Sequence, residues 1–245
     1  TGCSGEIFVR AYIGTSGWDY RHWRGNFYPQ DRPRTKWLDY YSRIFDTVEV
    51  NATFYHRIRR STYLKWRVST PEGFLWAVKA SRLITHIHRL KGVEEPLKIF
   101  FDDVSALGEK LGPLLFQLPP ALEFDGATLR SFLDLLPSGG RYAVEARHPS
   151  WANEAVLSLL RERNIAWCIA DTAGRFPYLE AVTADYVYIR LHGSRKLYAS
   201  EYTETELMSW AQRIRSWDRD AYVYFDNDFM GYAPKNALRL REMLS

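Results

Sequence analysis

The stretch Tyr142–Trp151, YAVEARHPSW, decides how the chain folds. Alternation with a period of two puts Glu145 and Arg147 on one face and Val144 and Ala146 on the other, as a strand does. An acid and a guanidinium therefore leave the strand on the same side at its carboxyl end. His148 stands before Pro149, which cannot donate to a ladder and pushes the residue ahead of it out of helix, so the strand stops there. A helix is expected directly afterwards, over residues 152–164. Charged groups on a strand's last turns, followed by a loop and a helix, are how a β/α enzyme presents its chemistry.

The same unit recurs on both sides of that stretch. Strands are expected at residues 11–15, 47–51, 75–79 and 113–118, and, beyond the fifth, at 166–171, 186–192 and 221–225. Helices are expected at 36–45, 61–68 with Ser61 as cap, 96–111 and 127–136. After the sixth strand only residues 178–183 can supply a helix. Thr203 with Glu206 reads as a capping box ahead of Leu207, Trp210, Ala211 and Ile214, and 235–244 closes the chain. Eight such units predict a single α/β domain, a (β/α)8 TIM-barrel-like fold over residues 12–245, with residues 1–11 as an N-terminal extension and lead-in. The competing architecture is a doubly wound open sheet, but the first strand ends in Gly14-Thr15-Ser16-Gly17-Trp18, which is not a GxGxxG phosphate fingerprint.

Composition bounds the function. The 245 residues are 46% hydrophobic and 25% charged, with no apolar run near the roughly 20 residues of a membrane span and no signal-peptide pattern. Thr1 to Gly5 reads as a processed end or a remnant. Two cysteines, Cys3 and Cys168, make neither a disulfide framework nor a CxxC pair, so a reducing cytoplasm is expected. A net charge of +4 suits an anionic ligand, and nine Trp with 16 Tyr exceed what a core needs, so some rings are expected where flat groups such as bases or sugars bind.

In a barrel, polar side chains at strand carboxyl ends converge on one pocket. Here they are Ser16, Glu49, Asn51, Lys79, Gln117, Glu145, Arg147, Asp171, Arg190, His192, Asp226 and Asn227. Acids nearly balanced by bases and an imidazole form a paired network able to orient acid, base and electrophile. Glu145 with Arg147 is equally well a structural ion pair, and His192, the best-placed general base by sequence, is equally well a histidine bonded to a neighbouring acid. Lys79 is an electrophile for an anionic group or, with less support, a Schiff-base lysine.

Seven segments carry a family likeness: GTSGWDY at 14–20, EVNATFY at 49–55, Lys79-Ala80-Ser81, FQLPP at 116–120, VEARHPSW at 144–151, IRLHG at 189–193 and YFDND at 224–228. In this order, from Tyr12 to the C-terminus, the chain resembles the YecE-like family, catalogued as domain of unknown function number seventy-two. The resemblance implies a TIM-barrel-like fold and a polar pocket at positions matching Glu49, Asn51, Lys79, Glu145, Arg147, His148, Arg190 and His192. It implies no particular reaction. Asp226 stands where the family commonly has asparagine, adding an acid to the site.

Catalytic roles are accordingly expected for Glu145, His192, Lys79, Arg190, Asp171 and Glu49. Substrate contacts are expected from Trp18, Asn51, Tyr55, Gln117, Arg147, His148, Trp151 and Asn227. Glu145, Asp171, His192 and Asp226 are the candidate ligands of a divalent metal, Mg or Mn, although Lys79, Arg147 and Arg190 would crowd a cation. His86 and His88 form an HxH in a loop, which reads better as a solvated basic segment. Loops after strands one, two, three and seven bring Arg21, His22, Arg24, Arg57, Arg59, Arg60, Arg82, Arg89, Arg195 and Lys196 beside Tyr20, Trp23, Phe54 and Tyr198. Cations interleaved with rings suit phosphates and stacked bases, hence DNA or RNA as partner. The expected function is a hydrolase of a phosphodiester or nucleic acid. A non-catalytic nucleic-acid or nucleotide binding module and a sugar isomerase or epimerase are the alternatives.

Overall fold

The computed structural model describes residues 9–245; Thr1 to Gly5, with Cys3, lie outside the described residues. Among the described residues eight parallel strands run in the order β1-β8-β7-β6-β5-β4-β3-β2. They are β1 Ala11–Thr15, β2 Thr47–Val50, β3 Leu75–Lys79, β4 Leu111–Gln117, β5 Tyr142–Glu145, β6 Ala166–Asp171, β7 Tyr186–Leu191 and β8 Asp220–Phe225. The two ends of this sheet meet at a single bridge between Ser16 and Glu49, backed by a 2.8 Å bond from the Gly17 N–H to the Glu49 carbonyl. The barrel is thus nearly closed. Gly14 is what lets the seam close, since a Cβ there would sit 2.2 Å from the Thr47 carbonyl oxygen.

Among the described residues seven α-helices cover the barrel: α1 Trp37–Ile44, α2 Arg60–Ser69, α3 Glu94–Val104, α4 Gly126–Asp134, α5 Glu154–Glu162, α6 Glu204–Trp217 and α7 Tyr232–Leu244. Two local expectations are corrected. Residues 178–183 form no helix; the crossover from β6 to β7 is a loop whose Thr183 hydroxyl bonds the Trp167 N–H and whose Leu179 carbonyl takes the Trp167 indole N–H. Ser61 is not a cap, because α2 begins one residue earlier with Arg59 at the N-cap and no side-chain bond. The capping box on α6 forms as read, with both reciprocal bonds between Thr203 and Glu206.

Strand alternation divides the apolar residues into two cores. Outward residues such as Val48, Trp76, Phe116, Val144, Ile169, Ile189 and Val223 pack under the helices. Inside the barrel, small Ala77, Ala143 and Ala166 face the rings of Tyr186, Tyr188, Tyr222 and Tyr224. Alanines on one wall leave the width that tyrosines on the other occupy, which fills the interior without a pore. The same inward parity, carried one or two residues past each strand, delivers polar side chains to the carboxyl face.

Candidate functional site

The inward positions at the strand ends build a buried charge network centred on Arg190 of β7. Its Nε lies 3.1 Å from both carboxylate oxygens of Glu49 and its Nη2 lies 2.7 Å from Oε1, while Nη1 donates to Glu145 Oε2 at 2.8 Å. Glu49 also accepts from Ser16 Oγ at 2.8 Å, from Asn51 Nδ2 at 3.3 Å and from the Tyr188 hydroxyl. His192 bridges the next pair, with Nε2 3.2 Å from Glu145 Oε1 and Nδ1 3.0 Å from Asp226 Oδ2. Glu49, Glu145, Arg190 and His192 are each at most 1% exposed. Charges so deep persist only because every one is paired. The Arg190 guanidinium, with Arg147 next, holds the Glu145 carboxyl well below the usual carboxylate range against the opposing effect of burial.

Above this network opens a cavity of about 870 Å³. Its floor presents Asn51, Lys79, Gln117, Arg147, Arg190 and Asp226; its walls and rim present Tyr20, His22, Phe54, Tyr55, His86, Tyr198, Asp228, Phe229 and Met230. Asp226 is the carboxylate of the network that reaches the open space, with its side chain 23% exposed. The hydrogen bond from His192 and the charge of Arg190 draw its carboxyl down despite burial. The Lys79 ammonium sits 4.2 Å over the Phe54 ring and has no carboxylate partner among the described residues. Burial, reinforced by Arg190, lowers its pKa to about 8. Arg147 reaches back to Glu145 at 3.5 Å and lies over Phe176.

The rim is held in tension. Tyr198 and Met230, both lining the cavity, adopt left-handed backbone with φ of 62° and 60°, and the Tyr198 carbonyl accepts from the Phe229 N–H at 3.1 Å. Non-glycine residues in that region cost on the order of 1 kcal/mol or more each and cluster where a site must be shaped. The Tyr198 ring stands edge-on to His192, 5.4 Å away, so the two rim loops close directly over the buried pairs.

Several expected site residues lie elsewhere, and strand parity gives the reason. Asp171 shares its face with Trp167 and Ile169, so it turns outward, where its carboxylate accepts from the Tyr202 hydroxyl at 2.9 Å. Asn227 likewise points out, donating to Ser200 and Asn236. The His148 Nδ1 caps the turn at Ser150, and Trp151 is buried with its indole N–H on the Leu122 carbonyl. Trp18 packs edge-on against the stacked rings of Trp66 and Trp76, 5.3 Å from each. The basic loops thin out too, since Arg57 pairs with Asp103 and Arg60 with the Asp102 carbonyl, both on α3. His86 is kept neutral near pH 7, because burial and then Lys79 lower its pKa to about 4.

A resident metal does not fit these donors. Asp171 is on the other side of the strand wall, and Glu145, His192 and Asp226 bind one another and Arg190; among the described residues no three His, Cys, Asp or Glu side chains are arranged to hold an ion. Sequence reasoning named Tyr20 and His22 only among the rings and cations of a loop, and passed over Tyr188 and Asp228 as site residues. Parity would have found both: Tyr188 lies two residues before Arg190, and Asp228 two after Asp226.

Among the described residues no helix is long and apolar enough to cross a membrane. The chain is 27% identical over 253 residues to the UPF0759 protein YecE of Escherichia coli (strain K12), covering 91% of this chain and 89% of that protein. It is 26% identical over 268 residues to the UPF0759 protein YunF of Bacillus subtilis (strain 168), covering 95% and 94%. The crystal structure of a DUF72 family protein from Thermotoga maritima superposes with a TM-score of 0.87 at 30% identity, covering 96% of this chain and 99% of that one. The family model described as protein of unknown function DUF72 matches residues 12–245, and with the barrel and its strand-end network in place, the chain belongs to that family.

Proposed function

We propose that the barrel hydrolyses a phosphodiester of a nucleotide or a single-stranded nucleic acid in the cavity at its carboxyl face. The observation that carries this reading is the pairing, across one cavity, of the Asp226 carboxylate with the cations Lys79 and Arg147, under a rim of exposed rings. Lys79 and Arg147 receive the phosphoryl oxygens and stabilise the charge that grows on them as the nucleophile arrives. Asp226, fixed on its inner side by His192 and Arg190, accepts a hydrogen bond from the attacking water and aims it. With a pKa near 8, Lys79 is protonated at pH 7 and able to hand a proton to the leaving oxygen. Tyr55 and Phe229, 71% and 62% exposed, are platforms for bases. Arg190, Glu49 and Glu145 do not touch substrate in this scheme; they hold Asp226 and Asn51 in place.

The test is a screen of metal-stripped protein on phosphodiesters, phosphomonoesters and labelled single- and double-stranded DNA and RNA, repeated with Mg or Mn added. Turnover that falls at least about 100-fold in both Asp226→Asn and Lys79→Met, with unchanged circular dichroism, supports the hydrolase. The second reading, a binding module, is favoured by how completely Arg190, Glu49 and Glu145 satisfy one another. Salt-sensitive binding of single strands without product would establish it.

A further inference from the structure

The turn after β8 reads Phe225-Asp226-Asn227-Asp228, and its alternation sends two carboxylates toward the cavity. Each meets a histidine. The inner pair, Asp226 with His192, is sealed: the ring is 0% exposed and both its nitrogens face carboxylates, so no lone pair is left for a substrate. The outer pair is Asp228 with His22, which the turn Arg21–Trp23 brings over from the β1–α1 loop. His22 Nε2 lies 2.8 Å from Asp228 Oδ2 and 3.0 Å from the Asp228 backbone carbonyl oxygen.

That second contact fixes the tautomer. A carbonyl oxygen only accepts, so Nε2 carries the hydrogen and Nδ1 of the neutral ring carries the free lone pair. No side chain or backbone group among the described residues bonds Nδ1, and the His22 side chain is 47% exposed where it lines the cavity. The acid behind it is anchored as well, since Asp228 Oδ1 accepts from the indole N–H of fully buried Trp23 at 2.7 Å. Asn26 ties the same loop to the Met230 carbonyl at 3.1 Å, so the strained rim residue and the histidine loop are one unit. Burial raises the Asp228 carboxyl to about 6, against the bonds from Trp23 and His22.

We propose that His22 is the proton-transfer residue of this cavity, with Asp228 and Trp23 positioning it, and that His192 has only a structural part. The proposal rests on the hydrolase reading. In the step it implies, His22 Nδ1 takes a proton from the attacking water while that oxygen forms its bond to phosphorus. The bond from phosphorus to the leaving oxygen breaks, its electron pair departs with that oxygen, and the proton needed there comes from the Lys79 ammonium. The imidazolium and the neutral amine then reset by exchange with solvent. An imidazole held by an acid on one nitrogen and open on the other is the arrangement this step requires.

The experiment compares the wild-type protein with His22→Gln, Asp228→Asn and Asp228→Glu on bis(p-nitrophenyl) phosphate, whose leaving group needs no acid, and records the imidazole 15N signals of each. His22→Gln is expected to lower kcat about 100-fold with KM changed less than about threefold. Asp228→Asn is expected to lower kcat about tenfold and alter the acid limb of the pH profile, with Asp228→Glu recovering part of the loss. The His22 signals should show the Nε2–H tautomer in the wild type and a mixture in Asp228→Asn. A His22→Gln enzyme within about threefold of wild-type kcat, while Asp226→Asn is inactive, overturns the dyad and leaves the hydrolase standing. If the wild type cleaves no phosphodiester, the hydrolase reading fails and the 15N signals decide the dyad. Signals that move with added inorganic phosphate in the wild type, and lose their tautomer preference in Asp228→Asn, sustain it; signals indifferent to both overturn it.

Discussion

Replacing Arg190 with methionine tests the network on which the site is built. The change conserves most of the side-chain length and removes one cation from between Glu49 and Glu145, all three side chains being at most 2% exposed. Glu49 would keep the Ser16, Asn51 and Tyr188 donors but lose three contacts with the guanidinium. Glu145 would keep His192 at 3.2 Å and a long contact to Arg147 at 3.5 Å. Removing one partner of a buried ion pair leaves an uncompensated charge and costs about 3–5 kcal/mol. In a chain of this size each kcal/mol moves Tm by about 2–4 °C, so a fall of about 6–20 °C is expected. The assay is guanidinium unfolding at pH 7 together with thermal melts. Because the stranded carboxylates would be relieved by protonation, the gap to wild type should narrow at pH 5, whereas an ordinary loss of packing would leave it unchanged. Adding Glu49→Gln to Arg190→Met should recover part of the loss, a coupling that a double-mutant cycle reads directly. A loss under about 1 kcal/mol, or one that does not change between pH 7 and 5, would refute the claim that these charges depend on Arg190.

Gly14, Lys79 and Asp171 each give a separate test. Gly14→Ala places a Cβ against the Thr47 carbonyl at the barrel seam and should cost more than about 2 kcal/mol or abolish soluble expression; a neutral result in the same unfolding assay would mean that the seam can open. Lys79 titrates near 8 in the fold and near its ordinary value when unfolded, so the unfolded chain binds more protons between those values and stability gained from this group rises with pH there. Lys79→Met should therefore stabilise the protein at pH 7 and less so at pH 9.5, even while it weakens anion binding, as paired denaturation midpoints would show. Asp171→Asn, outside the cavity, should leave ligand affinity within about threefold while destabilising by about 1 kcal/mol through Tyr202; a large change in affinity would return Asp171 to the site.

The order of elements was legible because it depends on local rules. Alternation marks strands, apolar spacing marks helices, and the Thr203–Glu206 signature marked a helix start that the structure reproduces bond for bond. The missing helix after β6 was the weak point, since the loop there is held by long-range bonds to Trp167 rather than by any local signal. The residues of the site divide along the same line. Glu49, Lys79, Glu145, Arg190, His192 and Asp226 share inward parity at strand ends, a property contained in the sequence, and the barrel brings all six together. Asp171 and Asn227 were also at strand ends but had outward parity, and the alternation of their own strands already said so.

Sequence alone therefore determined the family, the eight-fold repeat of strand and crossover and the set of charges that could converge, because each follows from spacing within a few residues. Tertiary structure decided which of those charges neutralise one another and which remain open to a ligand. Arg190 and His192 looked like reagents in the sequence; closure of the barrel surrounds both with carboxylates, sealing His192 and leaving Arg190 as a paired group in the cavity floor. His22 looked like one more basic residue on a loop until the fold laid that loop against Asp228, 206 positions away, and left the other imidazole nitrogen without a partner among the described residues. Pairing of charges depends on distance in space and on exclusion of water, and neither is written in local sequence.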